Sequence, residues 1–144
     1  MPWPTPQDYN EAIQNPAVNF DDPELKTGQP ALTALGLPRP ITGGFASVYR
    51  LHCGQREWAI RCFLREFGDQ QQRYAAISRH LAAAKLPYTV GFNFLPRGIK
   101  VRGQWYPILK MEWVHGEPFN SDIFKHLGNR SALRVLADRW IAMV

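Results

Sequence analysis

Between residues 46 and 63, apolar and polar side chains alternate with a period of two in two successive runs. Val48, Arg50 and His52 fall on one side of the first run, and Tyr49 and Leu51 on the other. In the second run Trp58, Ile60 and Cys62 alternate with Ala59, Arg61 and Phe63. That period belongs to strands, and Gly54-Gln55 between the runs suits a two-residue hairpin turn that opens on glycine. Pairing Cys53 with Arg56 across the turn and counting back sets Val48 opposite Arg61 and Ser47 opposite Cys62. The spacing becomes helical from Asp69 to Lys85, where Tyr74, Ile77 and Leu81 recur among alanines, Asp69 offers a cap and Pro87 stops the segment. Strands return from Val90 to Trp113, punctuated by Pro96-Arg97-Gly98 and by Arg102-Gly103-Gln104. Pro107, which has no amide hydrogen, is expected there at an edge or a bulge. Two helical stretches follow, Ser121 to Leu127 and Ser131 onward; in the second, Leu133, Leu136, Ala137 and Trp140 form an apolar stripe and Ser131 supplies a cap. The chain therefore reads as α+β: a twisted antiparallel sheet of about five strands with one packed helix, followed by two C-terminal helices.

The first residues behave differently. Pro2, Pro4, Pro6, Pro16, Pro23 and Pro30 interrupt every long element and leave room for one short helix from Pro6 to Gln14, capped by Thr5. Tyr9 and Ile13 share one side of it, so the helix is expected to dock through a few contacts. The expected divisions are a leader arm over residues 1–34, a lobe over 35–114 and the two helices over 115–144.

Composition narrows the choices. A chain of 144 residues with 45% hydrophobic content buries one modest core. The 17 basic and 12 acidic side chains give +5 but are scattered without a long run of one sign, which reads as a solvated surface and not a nucleic-acid patch. Trp105 and Trp113 lack the regular basic-aromatic interleaving of base-stacking surfaces, so both are assigned to packing. Cys53 and Cys62 are the only cysteines, the hairpin register keeps them apart, and neither has a second ligand at metal-binding spacing. Unpaired thiols and an N-terminus without an apolar segment point to the cytoplasm. No stretch approaches the roughly 18 apolar residues of a membrane span.

Candidate chemistry sits on one face of the first hairpin. Val48, Ala59 and Arg61 share that face beneath the turn Gly43-Gly44-Phe45-Ala46-Ser47, a surface suited to a flat heterocycle carrying phosphates. The stretch resembles the N-terminal lobe of a bacterial protein kinase, in which a G-x-G-x-x-G-x-V loop precedes a V-A-I-K strand. On that pattern Gly43 takes the second glycine position, with Gly44 beside it. Phe45 is then the loop-tip aromatic, Val48 the valine over the nucleotide, and Trp58-Ala59-Ile60-Arg61 the V-A-I-K strand. Ile41, Ala46 and Arg61 depart from it, and Arg61 most, since a planar fork and a compact ammonium reach phosphates differently.

Leu109-Lys110-Met111-Glu112-Trp113-Val114-His115-Gly116-Glu117-Pro118 resembles the last strand of that lobe and the hinge leading out of it. The resemblance, which covers roughly Leu35 to Val144, implies that Met111 guards the back of the pocket and that the main chain of Glu112 and Val114 reads adenine. It implies ATP as the ligand, weakly held by this chain alone, with magnesium reaching the site only through a C-terminal lobe. The helix from Asp69 to Lys85 contains no glutamate to pair with Arg61, and neither an H-x-D loop nor a D-F-G follows, so no catalytic residue is assigned. Two functions follow from the resemblance. One is the nucleotide-binding lobe of a bacterial protein kinase-like phosphotransferase whose C-terminal lobe is cut off or supplied separately, and the other is a pseudokinase-type binding module. Expected partners are a nucleotide and, through the apolar face of Leu136, Trp140, Ile141, Met143 and Val144, a C-terminal lobe, another protein or a second copy; neither nucleic acid nor membrane is expected.

Overall fold

The hairpin of alternating residues forms with the register that its turn dictates. In the computed structural model, which describes residues 3–66, 68–87 and 89–144, Cys53 lies opposite Arg56, Val48 opposite Arg61 and Ser47 opposite Cys62. Gly54 makes this turn possible by adopting a φ of 65°. The chain divides into two compact units, residues 1–113 and 114–144.

In the first unit, α1 (Pro6–Ile13), α2 (Pro16–Asn19), a 3-10 turn (Leu25–Thr27) and the two-residue strand β1 (Gln29–Pro30) come before the hairpin. Strand β2 (Ile41–Thr42) then leads into β3 (Ala46–Cys53) and β4 (Arg56–Phe63). After α3 (Gln70–Ala84) come β5 (Phe92–Val101) and β6 (Gln104–Glu112). All strands pair antiparallel in the order β1-β3-β4-β6-β5, with β2 also on the outer edge of β3. Among the described residues the sheet thus has six strands; the one beyond expectation comes from the leader segment.

That leader is more than an arm. Strand alternation gives the sheet one apolar face, made of Tyr49, Leu51, Ile60, Cys62 and Ile108, all but inaccessible to solvent. The leader covers it with Tyr9, Ile13, Phe20 and Leu25, each fully buried, so these residues belong to the core. Each such burial stabilises by about 1.5–3 kcal/mol. Its prolines forbid one long helix, and the cover is built from short pieces. The first starts as its sequence requires, with a reciprocal cap in which Thr5 N donates to Asp8 Oδ2 at 2.8 Å and Asp8 N to Thr5 Oγ1 at 3.2 Å. Pro2 lies outside the described residues.

Strands β5 and β6 join through Arg102-Gly103, whose φ values of 51° and 80° are the two positive angles of a tight hairpin turn. Pro96-Arg97-Gly98 does not end a strand but forms a bulge in β5, and Pro107 lies opposite it, where the ladder is interrupted and no amide is needed. Gly98 is required by packing, since a Cβ there would lie 2.3 Å from Ile108 Cγ1.

Helix α3 lies against the other face of the sheet. Tyr74 stacks on Phe94 at 5.6 Å and meets Phe63 at 5.7 Å. The contact stripe runs through Tyr74, Ser78 and Leu81, one step round from the expected one, and leaves Ile77 46% exposed. Asp69 occupies the cap position, yet its carboxylate pairs with Arg73 at 2.8 Å and bonds no backbone amide.

The second unit is a helical hairpin of α4 (Phe119–Lys125) and α5 (Arg130–Met143). Asn129, not Ser131, caps α5, accepting from Ala132 N at 3.0 Å. Phe119 stacks on Trp140 at 5.7 Å. Among the described residues, no helix is long and apolar enough to cross a membrane.

Candidate functional site

The face of the sheet turned away from the leader carries the residues singled out by sequence. Alternation places Val48 and Arg50 of β3 beside Ala59 and Arg61 of β4, and pairing of β4 with β6 sets Met111 opposite Ala59 and Leu109 opposite Arg61. Ala59 and Leu109 are buried, while Val48, Arg61 and Met111 are partly buried, so the face is apolar with one cation near its middle.

The glycine turn stands at one end of this face. Gly43 N donates to Ala46 O at 2.9 Å, and Leu64 N to Phe45 O at 2.8 Å, which ties the tip of the turn to the end of β4. Beside the turn the hydroxyls of Thr42 and Ser47 are hydrogen-bonded at 3.2 Å. At Gly43 and Gly44 an added Cβ would meet nothing within 4 Å, so the backbone there borders open space. Neither glycine has a positive φ, so their use is access and not backbone strain.

Arg61 is treated unusually for a partly buried cation. Its Nε is buried without a hydrogen-bond partner, and its guanidinium carbon lies 5.9 Å from the centre of the Phe63 ring. Among the described residues no carboxylate lies within ion-pair distance of it, and α3, QQQRYAAISRHLAAA, contains no acid. A guanidinium held in an apolar setting with a donor unsatisfied is predisposed to accept an anion.

At the opposite end Arg50 grips Glu57 through two nitrogens, at 3.1 and 2.9 Å, and lies 5.0 Å from the Trp113 ring centre. His52 Nδ1 lies 3.0 Å from the same carboxylate. Trp113 is held in line by its own amide, which donates to Glu57 O at 3.0 Å. Between this cluster and the glycine turn opens a cleft of about 280 Å³, lined by Ala31, Arg39, Pro40, Ile41, Val48, Arg50 and Trp113.

The structure therefore brings Val48, Ala59, Arg61 and Met111 onto one surface, with Gly43, Gly44 and Phe45 at its margin. Glu112 ends β6 with its side chain on the leader face, opposite Trp58, and Val114 opens the second unit. Sequence reasoning passed over Arg50, Glu57 and Trp113. Parity alone placed Arg50 on the face of Val48, whereas nothing local marked Trp113 as its stacking partner. It also left Lys110 without a role: this lysine, 7% exposed, sits on the opposite face, 2.8 Å from Glu24 and 3.3 Å from Asp22, over the Trp58 ring at 4.3 Å. Its hydrogen bond holds the Glu24 carboxyl below the usual carboxylate range. Cys53 and Cys62 are free and buried, and burial raises both thiols, most strongly Cys62, so neither is poised as a nucleophile.

Compared with protein-family models, curated proteins and solved structures, the chain matches none.

Proposed function

We propose that the first unit is a nucleotide-binding lobe of the protein kinase-like kind, taking ATP against the face of Val48, Ala59, Arg61 and Met111. The observation that carries this reading is the register itself: Arg61 lies directly opposite Val48, and Ala59 directly opposite Met111, below a glycine turn open to solvent. Such an arrangement stacks a flat base on small and branched apolar groups and leaves a cation for phosphate. The strand order and the place of α3, between β4 and β5 in the chain and on the Arg61 face, agree with the same reading. Among the described residues no group of His, Cys, Asp and Glu could hold a metal ion, and Glu57 on this face is held by Arg50 and His52. In this reading magnesium and phosphotransfer to a protein come with a C-terminal lobe.

A second reading, a pseudokinase-type module that binds without catalysing, draws support from one feature. Helix α3 offers Arg61 no carboxylate, so the ion pair that orders phosphates for transfer cannot form. Calorimetric titration with ATP tests both readings. Weak binding that Ala59→Trp abolishes is expected, and wild-type protein that takes up no ATP, or a variant that binds unchanged, overturns the nucleotide site. Binding without phosphotransfer, after a C-terminal lobe is added, selects the second reading.

A further inference from the structure

We infer that Arg65 is a second phosphate contact, which makes the site discriminate nucleotides by the number of their phosphates. This rests on the nucleotide reading above. Strand β4 ends at Phe63, and the bond from Leu64 N to Phe45 O, 2.8 Å long, carries the chain past the tip of the glycine turn. Arg65 emerges there, exposed, with its guanidinium carbon 5.7 Å from the centre of the Phe45 ring. A long side chain loses much rotamer freedom when it grips a ligand. Docking on an aromatic face removes part of that loss beforehand and keeps the charge at the turn.

Two arginines thus flank the glycine turn from different positions, Arg61 within the sheet face and Arg65 at the tip. Four residues of chain separate them by at most roughly 14 Å, and both side chains are long enough to converge on one short polyphosphate. Neither has a carboxylate within ion-pair distance among the described residues, so the pair keeps its charge for an anion. The glycine backbone that precedes Phe45 borders open space, which leaves room for phosphate oxygens. A single arginine in the sheet face accounts for holding one phosphate, whereas the second at the tip adds contact with the far end of a chain.

Titration of the full chain with ATP, ADP and AMP, alongside Arg65→Ala and Phe45→Ala, tests this. Arg65→Ala is expected to weaken ATP about tenfold, the usual scale for one charge-assisted hydrogen bond, and to leave AMP within about twofold. Phe45→Ala, which keeps the charge and removes its docking ring, is expected to give a smaller loss in the same order. Inorganic tripolyphosphate should displace ATP from wild type more readily than from Arg65→Ala. If wild type binds ATP and AMP while Arg65→Ala weakens neither, or weakens both equally, this inference falls and the nucleotide reading stands. If wild type binds no nucleotide, both fall.

Discussion

Arg61 and Lys110 lie on opposite faces of adjoining strands and meet opposite electrostatic treatment. Lys110 is almost fully buried and is neutralised by Asp22 and Glu24, while Arg61 has no acidic partner among the described residues. Replacing Arg61 with alanine should weaken ATP more than AMP; equal losses in a titration would count against a phosphate role. Glu24 offers a test at acid pH. Hydrogen bonding from Lys110 keeps its carboxyl below the ordinary value of 4.5 in the folded state. Its contribution to stability is therefore complete above the ordinary value and lost as pH falls through the folded one. Thermal unfolding followed from neutral pH down to about pH 3 should show a loss in this window that Lys110→Met reduces. An unchanged acid limb in the variant would sever the link. The place of Arg61 was legible from alternation alone. The partners of Lys110 were not, because they lie 88 and 86 residues away in the chain.

Among the elements, the leader departs most from its outward character. Its prolines and its Thr5 cap mark a short helix correctly, yet they say nothing about what the helix covers. Tyr9 fills the space over the sheet, and its hydroxyl donates to Phe63 O at 2.6 Å, a carbonyl that also accepts from the Trp3 indole. Tyr9→Ala should cost about 3–5 kcal/mol in urea unfolding, as for other large buried rings. Tyr9→Phe, losing the hydroxyl alone while Phe63 O keeps the Trp3 donor, should cost about 0.5–1.5 kcal/mol. A loss below about 1 kcal/mol for Tyr9→Ala would return the leader to a peripheral arm. The β5 bulge and Pro107 illustrate a feature half visible in sequence: the proline called for a gap in the ladder, but only pairing with β5 located it opposite Pro96-Arg97-Gly98.

At the scale of the whole molecule, the second unit exposes much apolar surface. Trp140 is 52% and Ile141 72% exposed, and with Phe119, Ile123, Leu133, Leu136 and Ala137 they line a cleft of about 430 Å³. Apolar faces of this kind are seldom left in water on a monomer. The purified protein should bind a hydrophobic dye or sediment as larger species at high concentration, and Trp140→Ser should diminish both. A monomer that excludes dye, unaffected by that change, would show the face to be innocuous.

Alternation and turn chemistry are local, and they alone determined the hairpin register, the shared face of Val48, Ala59 and Arg61, and the helical stretches. Side-chain parity follows directly from backbone geometry, so it survives whatever packs around the strands. Which face is buried, and by what, depends on distant segments competing for the same apolar surface, and only the tertiary structure decided that. It gave the face of Tyr49 and Ile60 to the leader and laid α3 against the face of Arg61. It also turned α3 so that Tyr74, Ser78 and Leu81 meet the sheet, because the aromatic cluster of Phe63, Phe92 and Phe94 receives Tyr74. The spacing of residues within α3 carries no information about where those rings stand.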